Sequence, residues 1–193
     1  MGQLDIHNRA LAAIGHDRTI AAIDETSTEN TRCLLEWDGA RLAVLAAHEW
    51  NWLVEETAFI DGAYCTESCE TSITSEYVYD RPSDMIRLTA ALTRENRKAN
   101  YRAANQQIYS EESELKFRYL VDEEDPDNWP QLVVDAVVYE LASRIALPMT
   151  ANARIAQTMK QMATFALMQA KEHDAKEMCR AGTAGDRYSR ARR

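Results

Sequence analysis

The apolar periodicity of the chain changes twice, and that change limits the possible folds more than any other feature. Up to about residue 52 the apolar side chains recur at the spacing of a helix face. From 53 to about 127 they fall into short alternating runs, and from 128 to about 180 the helical spacing returns. Helix, strand, helix in that order predicts an α+β chain. Its expected form is an α-helical bundle made from residues 1–52 and 128–180, with a small antiparallel β domain, residues 53–127, inserted between them. A basic segment, 181–193, follows and is expected to be a flexible tail. With 193 residues the chain can bury a core without disulfides or metal.

The helical zones carry their own boundary signals. Leu4, His7, Leu11 and Ile14 predict a helix over Gln3 to Ile14, with Gly15 at the position of a left-handed cap. Thr26-Ser27-Thr28-Glu29 reads as a capping box for a second helix, its stripe formed by Leu34, Leu35, Leu42, Leu45 and Ala46 down to Trp50. A third helix is expected from Asp127 or Asn128, with Pro130 in its first turn and Pro148 ending it. The fourth begins near Ala151, carries Ile155, Met159, Met162, Ala166 and Ala170 on one face, and extends past Glu177. At 1.5 Å per residue it reaches about 40 Å, long enough to overhang a compact domain and pack on a neighbouring subunit. Gly182, Thr183 and Gly185 are expected to end it.

In the middle zone Ser72 to Tyr79, Met85 to Leu92, Gln106 to Tyr109 and Leu115 to Val121 read as strands. Charge is segregated there. Seven acids and no Lys or Arg lie between Glu55 and Asp80, then Arg81 to Arg102 holds six basic residues against two acids. Five acids follow from Asp122 to Asp127. The blocks are expected on opposite faces of a small sheet and its loops.

Functional signals are mostly exclusions. No apolar run reaches the roughly 18 residues of a membrane span. The amphipathic start is not a signal peptide, and Ile6 stands where a myristoylation motif needs Ser or Thr, so the chain is expected to stay in the cytoplasm where it is made. Phosphate-binding loops, a nucleophile elbow and H-E-x-x-H are absent from the sequence. The four histidines, His7, His16, His48 and His173, have no ligand spacing, and Cys65 and Cys69 lack a second pair. His7 therefore reads as a satisfied core or interface histidine, and Cys33, Cys65, Cys69 and Cys179 as reduced thiols. Glu55-Glu56, Glu111-Glu112 and Asp122 to Asp125 are adjacent carboxylates, which a strand sends to opposite faces rather than across a pocket. Trp37, Trp50, Trp52 and Trp129 read as a core where the second helix meets the sheet and the third helix. Met149, Met159, Met162 and Met168 suit either an adaptable interface or a bundle core. Catalytic, metal and cofactor residues are thus expected to be absent, and the protein is read as a non-enzyme.

The sharpest local feature is Arg180 to Arg193, with five Arg and one Asp on a chain whose net charge is −9. It reads as an electrostatic docking arm for an acidic partner or nucleic acid, against a plain solvated terminus. Arg187, Arg190, Arg192 and Arg193 are its candidate contact residues, because guanidinium forks pair bidentately with carboxylates.

Six segments in order resemble one family, the tail tubular protein A family of short-tailed bacteriophages, the head-to-tail adaptors or gatekeepers. They are Asn8 to Gly15, Asp24 to Asn30 with Cys33 and Trp37, His48-Glu49-Trp50-Asn51-Trp52, Arg81 to Leu88, Ile108 to Ser110 with Leu115 to Leu120, and Leu141 to Thr150. The departures are the Cys65/Cys69 region and the Arg-rich end. The resemblance implies a virion protein at the head-to-tail junction, made in the host bacterial cytoplasm. It implies a homo-oligomeric ring of about twelve copies, heterologous and closed. Its partners would be the portal protein above, contacted through C-terminal ends, and the tail nozzle, tail tubular protein B, below. Genome DNA would pass through the lumen without specific binding, which suits an acidic wall. Two other classes stay open on the residues alone: a glycan hydrolase using carboxylates of the β domain, and a small DNA-binding regulator using the basic tail.

Overall fold

A computed structural model of the chain describes residues 1–64 and 76–189. The fold is α+β. The chain divides into two compact units, Met1–Asn51 with Glu123–Arg193, and Trp52–Asp122. The second boundary therefore falls within the acidic run, between Asp122 and Glu123, rather than after Asp127. Glu123 belongs to the helical unit because its carbonyl accepts both Trp129 Nε1 and Arg41 Nη1 at 3.3 Å. No described helix is long and apolar enough to cross a membrane.

The helical unit holds α1 (Gln3–Ala13), α2 (Thr28–Leu45), α3 (Gln131–Thr150) and α4 (Ala153–Ser189), and α3 packs against each of the other three. Helix α1 ends as its sequence predicts. Gly15 takes a φ of +79°, its N–H bonds Ala12 O, and His16 N–H reaches back to Leu11 O at 3.0 Å. Helix α2 starts one residue later than expected. Ser27 is the cap, accepting Asn30 N–H, while the Asn30 side chain ties the incoming loop through Ile23 O and Glu25 O. Its buried face keeps Leu45 of the expected stripe but is otherwise rotated from it. Cys33, Trp37, Ala40 and Val44 point inward, and Leu35 is 69% exposed. The ring of Trp37 decides the rotation, stacking on Trp129 at 6.1 Å with His7 edge-on at 5.2 Å.

Two prolines act differently from expectation. Pro126–Asn128 form a short 3-10 turn capped by the Asp125 side chain, and extended Pro130 precedes α3 as its N-cap. Pro148 does not end α3. The final turn persists through Thr150 Oγ1 on Ala146 O and Ala151 N–H on Leu147 O, and left-handed Ala151 closes it. Asn152 then caps α4 by accepting Arg154 N–H at 3.0 Å. Helix α4 passes through Gly182 and Gly185 to Ser189, whereas those glycines were expected to stop it. A helical glycine costs only about 1 kcal/mol relative to alanine, so it weakens a helix without breaking it.

Among the described residues the β unit forms two four-stranded antiparallel sheets where the sequence predicts one. In the first, β8 (Glu114–Val121) is central. Strand β5 (Met85–Leu92) lies on one side of it, and β1 (Val54–Glu56) and β2 (Ile60–Asp61) follow each other along the other. The second sheet runs β3 (Ala63–Tyr64), β4 (Tyr77–Asp80), β7 (Gln107–Ser110), β6 (Arg102–Ala104). The alternation of Leu115, Phe117 and Tyr119 is inward, as the sequence predicts, into a core shared with Tyr79 and Ile108 of the second sheet. The chain passes from one sheet to the other at Gly62. A Cβ there would lie 2.6 Å from Tyr77 Cβ and 2.7 Å from Tyr79 Cζ. Tyr79 cannot yield easily, since its ring meets Phe117 edge-on at 5.3 Å and its hydroxyl donates to Glu112 O. We expect Gly62→Ala to lower stability by about 1–3 kcal/mol, read as an earlier urea midpoint with an unchanged slope. A midpoint equal to that of the parent protein would contradict this packing.

Candidate functional site

The titratable groups of the helical unit are mostly structural. His7 is completely buried. Its Nε2 lies 3.4 Å from the Gln3 amide, but its Nδ1 and Asn30 Oδ1 have no hydrogen-bond partner, so this core histidine is only partly satisfied. Burial pushes its pKa down to about 4, with the Asn30 side chain opposing the shift. Burial, reinforced by Glu29, likewise pushes the Cys33 thiol up to about 11, the behaviour of an inert thiol. Asp174, 5% exposed on α4, accepts Asn51 N–H and sits 3.1 Å from His48 Nε2, while the Asn51 side chain donates to Asp174 O. His48 also lies edge-on to Trp50 at 4.9 Å. These bonds fasten α4 to the segment that follows α2.

Two carboxylates of the β unit, Glu56 and Glu114, are tied to cations. Glu55 and Glu56 are exposed on β1, and Glu56 pairs with Lys116, which holds its carboxyl below the usual range. Glu112 and Glu114 border a cleft of about 250 Å³ with Arg94 and Arg97. Arg94 grips Glu114 with two guanidinium nitrogens and holds it ionised. A general acid at neutral pH needs the opposite shift. Among the described residues no group of three or more His, Cys, Asp or Glu is placed to hold a metal ion.

The candidate site is instead a surface. Helix α4 spans 37 residues, about 55 Å at 1.5 Å per residue, longer than expected. Its buried stripe is Ala163, Ala166, Ala170 and Asp174, whose small side chains allow close approach to α3. The opposite side exposes Phe165 (53%) and Met168 (50%), and Met162 (44%), one turn before Ala166, is exposed at the flank of the stripe. Met162 therefore lies at the edge of the stripe to which the sequence assigned it, more exposed than a core position. Of the four methionines, Met149 and Met159 are half-buried and Met162 and Met168 exposed, so the set divides between core and surface. Phe165 went unrecognised in the sequence. Its signal was a second apolar set at 162, 165 and 168, on a helix that already had an inner one.

The remaining candidate residues scatter. Trp37, Trp50 and Trp129 lie in the core of the helical unit, and Trp52 belongs to the β unit. Arg187 lies on the backbone of α4, while Arg190, Arg192 and Arg193 fall outside the described residues, as do Cys65 and Cys69. Compared with models of known protein families and with curated proteins, the chain matches none.

The His7 geometry has a pH consequence. With a folded pKa of about 4 against 6.5 in the unfolded chain, the unfolded state takes the proton first as pH falls. The stability conferred by neutral His7 is complete above pH 6.5 and is lost between 6.5 and 4, amounting to at most about 3 kcal/mol. His7→Phe, which keeps a ring against Trp37, should flatten the fall in Tm between neutral pH and pH 4.5. Parallel Tm curves for the two proteins would refute the assignment.

Proposed function

We propose that the protein is a structural adaptor of a phage head-to-tail connector, a ring standing between portal and tail nozzle through which DNA passes. One observation carries the reading: α4 buries alanines on one side and exposes Phe165 and Met168 on the other, with Met162 exposed at the flank. Apolar side chains set along a helix of this length suit an interface between like subunits. The order of the six family-like segments supports the same reading, and so does the net charge of −9, which gives a sliding polyanion nothing general to adhere to. In this reading the protein does no chemistry. Residues Arg187, Arg190, Arg192 and Arg193 dock on the portal, adding about 0–1 kcal/mol per exposed pair.

The test is electron microscopy and sedimentation of the protein mixed with its portal. The parent chain should form rings on the portal. Phe165→Glu combined with Met168→Glu should stop ring closure while leaving the monomer folded, since both side chains are half exposed already. Deleting 186–193 should leave Tm nearly unchanged and weaken portal attachment, most visibly at moderate salt. Rings that persist in the double variant would remove the α4 face from the reading, and portal binding untouched by the deletion would remove the tail.

A further inference from the structure

A ring needs two different surfaces on every copy, and the exposed side of α4 is only one of them. Were that side to meet itself, the contact would be isologous and would close as a pair. The helical unit also holds a surface of complementary shape. A cavity of about 150 Å³ opens between α2, α3 and α4. Small side chains create it, Ala43 from α2, Ala136 from α3 and Ala163 from α4, with Ala43 and Thr164 at its exposed rim. The two charges in its wall, Glu140 and Lys160, are spent on each other at 2.7 and 2.8 Å, so an apolar guest meets no bare ion. Apolar cavities of about this size take a benzene ring. On the α2 side, Leu35 is 69% exposed and Leu42 half-buried, two turns apart on one line of the helix.

A ring of that size is available. Among the described residues Phe165 is the one exposed Phe, Tyr or Trp of the helical unit. It stands in a stretch without charge, Gln161 to Ala170, on a chain in which 27% of residues are charged. At about 100° per residue, Phe165 lies roughly 100–160° around α4 from Lys160, Ala163, Thr164 and Leu167, the residues of that helix that line the cavity. Its own cavity is therefore out of its reach, and a phenyl ring that fills it must come from another copy.

We propose, resting on the adaptor reading, that Phe165 of one copy enters the cavity between α2, α3 and α4 of the next. Knob and socket lie on different sides of the helical unit, so the contact is heterologous and every copy uses both. An uncharged knob meets a socket whose charges cancel, and a buried aromatic anchor in a pocket is the usual centre of such an interface.

The test is sedimentation velocity of the full chain, without portal, over rising concentration. Ala43→Trp fills the socket from its exposed rim, and Phe165→Ala removes the knob. Each alone should weaken self-association by about tenfold or more. Mixed in equal amounts, the two should form one-to-one pairs that grow no further, because one intact knob then meets one open socket. Tm checks that each variant folds, and Thr164→Trp, which blocks the same socket from α4, should act like Ala43→Trp. Ala43→Ser leaves the socket open and should associate like the parent. Undiminished self-association of both tryptophan variants would overturn the proposal, as would a mixture that forms no pairs or a parent chain that stays monomeric. The adaptor reading is judged separately, by rings on the portal: rings formed there by a socket-filled variant would keep the adaptor and remove the socket.

Discussion

Glu140 is 7% exposed in the wall of α3, and its carboxylate must find cations there or cost the helical unit several kcal/mol. It finds two. Lys160 Nζ reaches both oxygens at 2.7 and 2.8 Å, and Arg144 Nε donates at 3.1 Å. Lys160 comes from α4 and Arg144 from α3 itself, one turn on, where its guanidinium also approaches Glu36 of α2 at 3.6 Å. A slip of one residue along α4 would turn Lys160 by about 100° and leave Glu140 without its closest cation. The ion pair therefore adds to the alanine stripe in fixing the rotation of α4 on α3.

That fixed rotation decides what the other side of α4 presents. With Ala163, Ala166 and Ala170 turned inward, Phe165 and Met168 turn outward, and Met162, one turn before Ala166, lies at the flank of the stripe. The exposed apolar face thus goes with the contacts that α4 makes with α3, among them the pair between buried Glu140 and largely exposed Lys160. Asp174 extends the fastening further along α4 through Asn51 and His48, so the inner contacts run well beyond the exposed apolar set.

Much of this was legible in the sequence where a single physical signal dominates. Gly15 as a left-handed cap, the inward alternation of β8, and the limits Met85–Leu92 of β5 all follow from local chemistry. The misreadings occur where two local signals compete and a distant contact decides. In α2, Leu34, Leu35 and Leu42 form as plausible a stripe as Cys33, Trp37 and Ala40, and only the stacking of Trp37 on Trp129, far away in sequence, selects the second. Pro148 forbids one hydrogen bond, but Thr150 and left-handed Ala151 close the turn around it. The short strands β1, β2, β3 and β6 carry only two or three residues each, too few for any alternation to show. Of the candidate surface, Met162 and Met168 were visible as apolar residues, but their direction depended on the contacts of α4 with α3, the Glu140–Lys160 pair among them. No local pattern reveals those contacts.

The continuation of α4 through Gly182 and Gly185 changes the physics of the basic end. A coil carrying Arg187 would lose about 1–2 kcal/mol of backbone entropy for each residue ordered on docking. A backbone already helical to Ser189 has met most of that cost within the free protein. Two glycines weaken that stretch by about 1 kcal/mol each relative to alanine, so its helicity is held with a small margin. A partner that binds the helical form then needs only modest contacts to retain it, which is the regime of exposed ion pairs. The glycines thus tune how cheaply the end of the helix is kept or released, without setting where the helix stops.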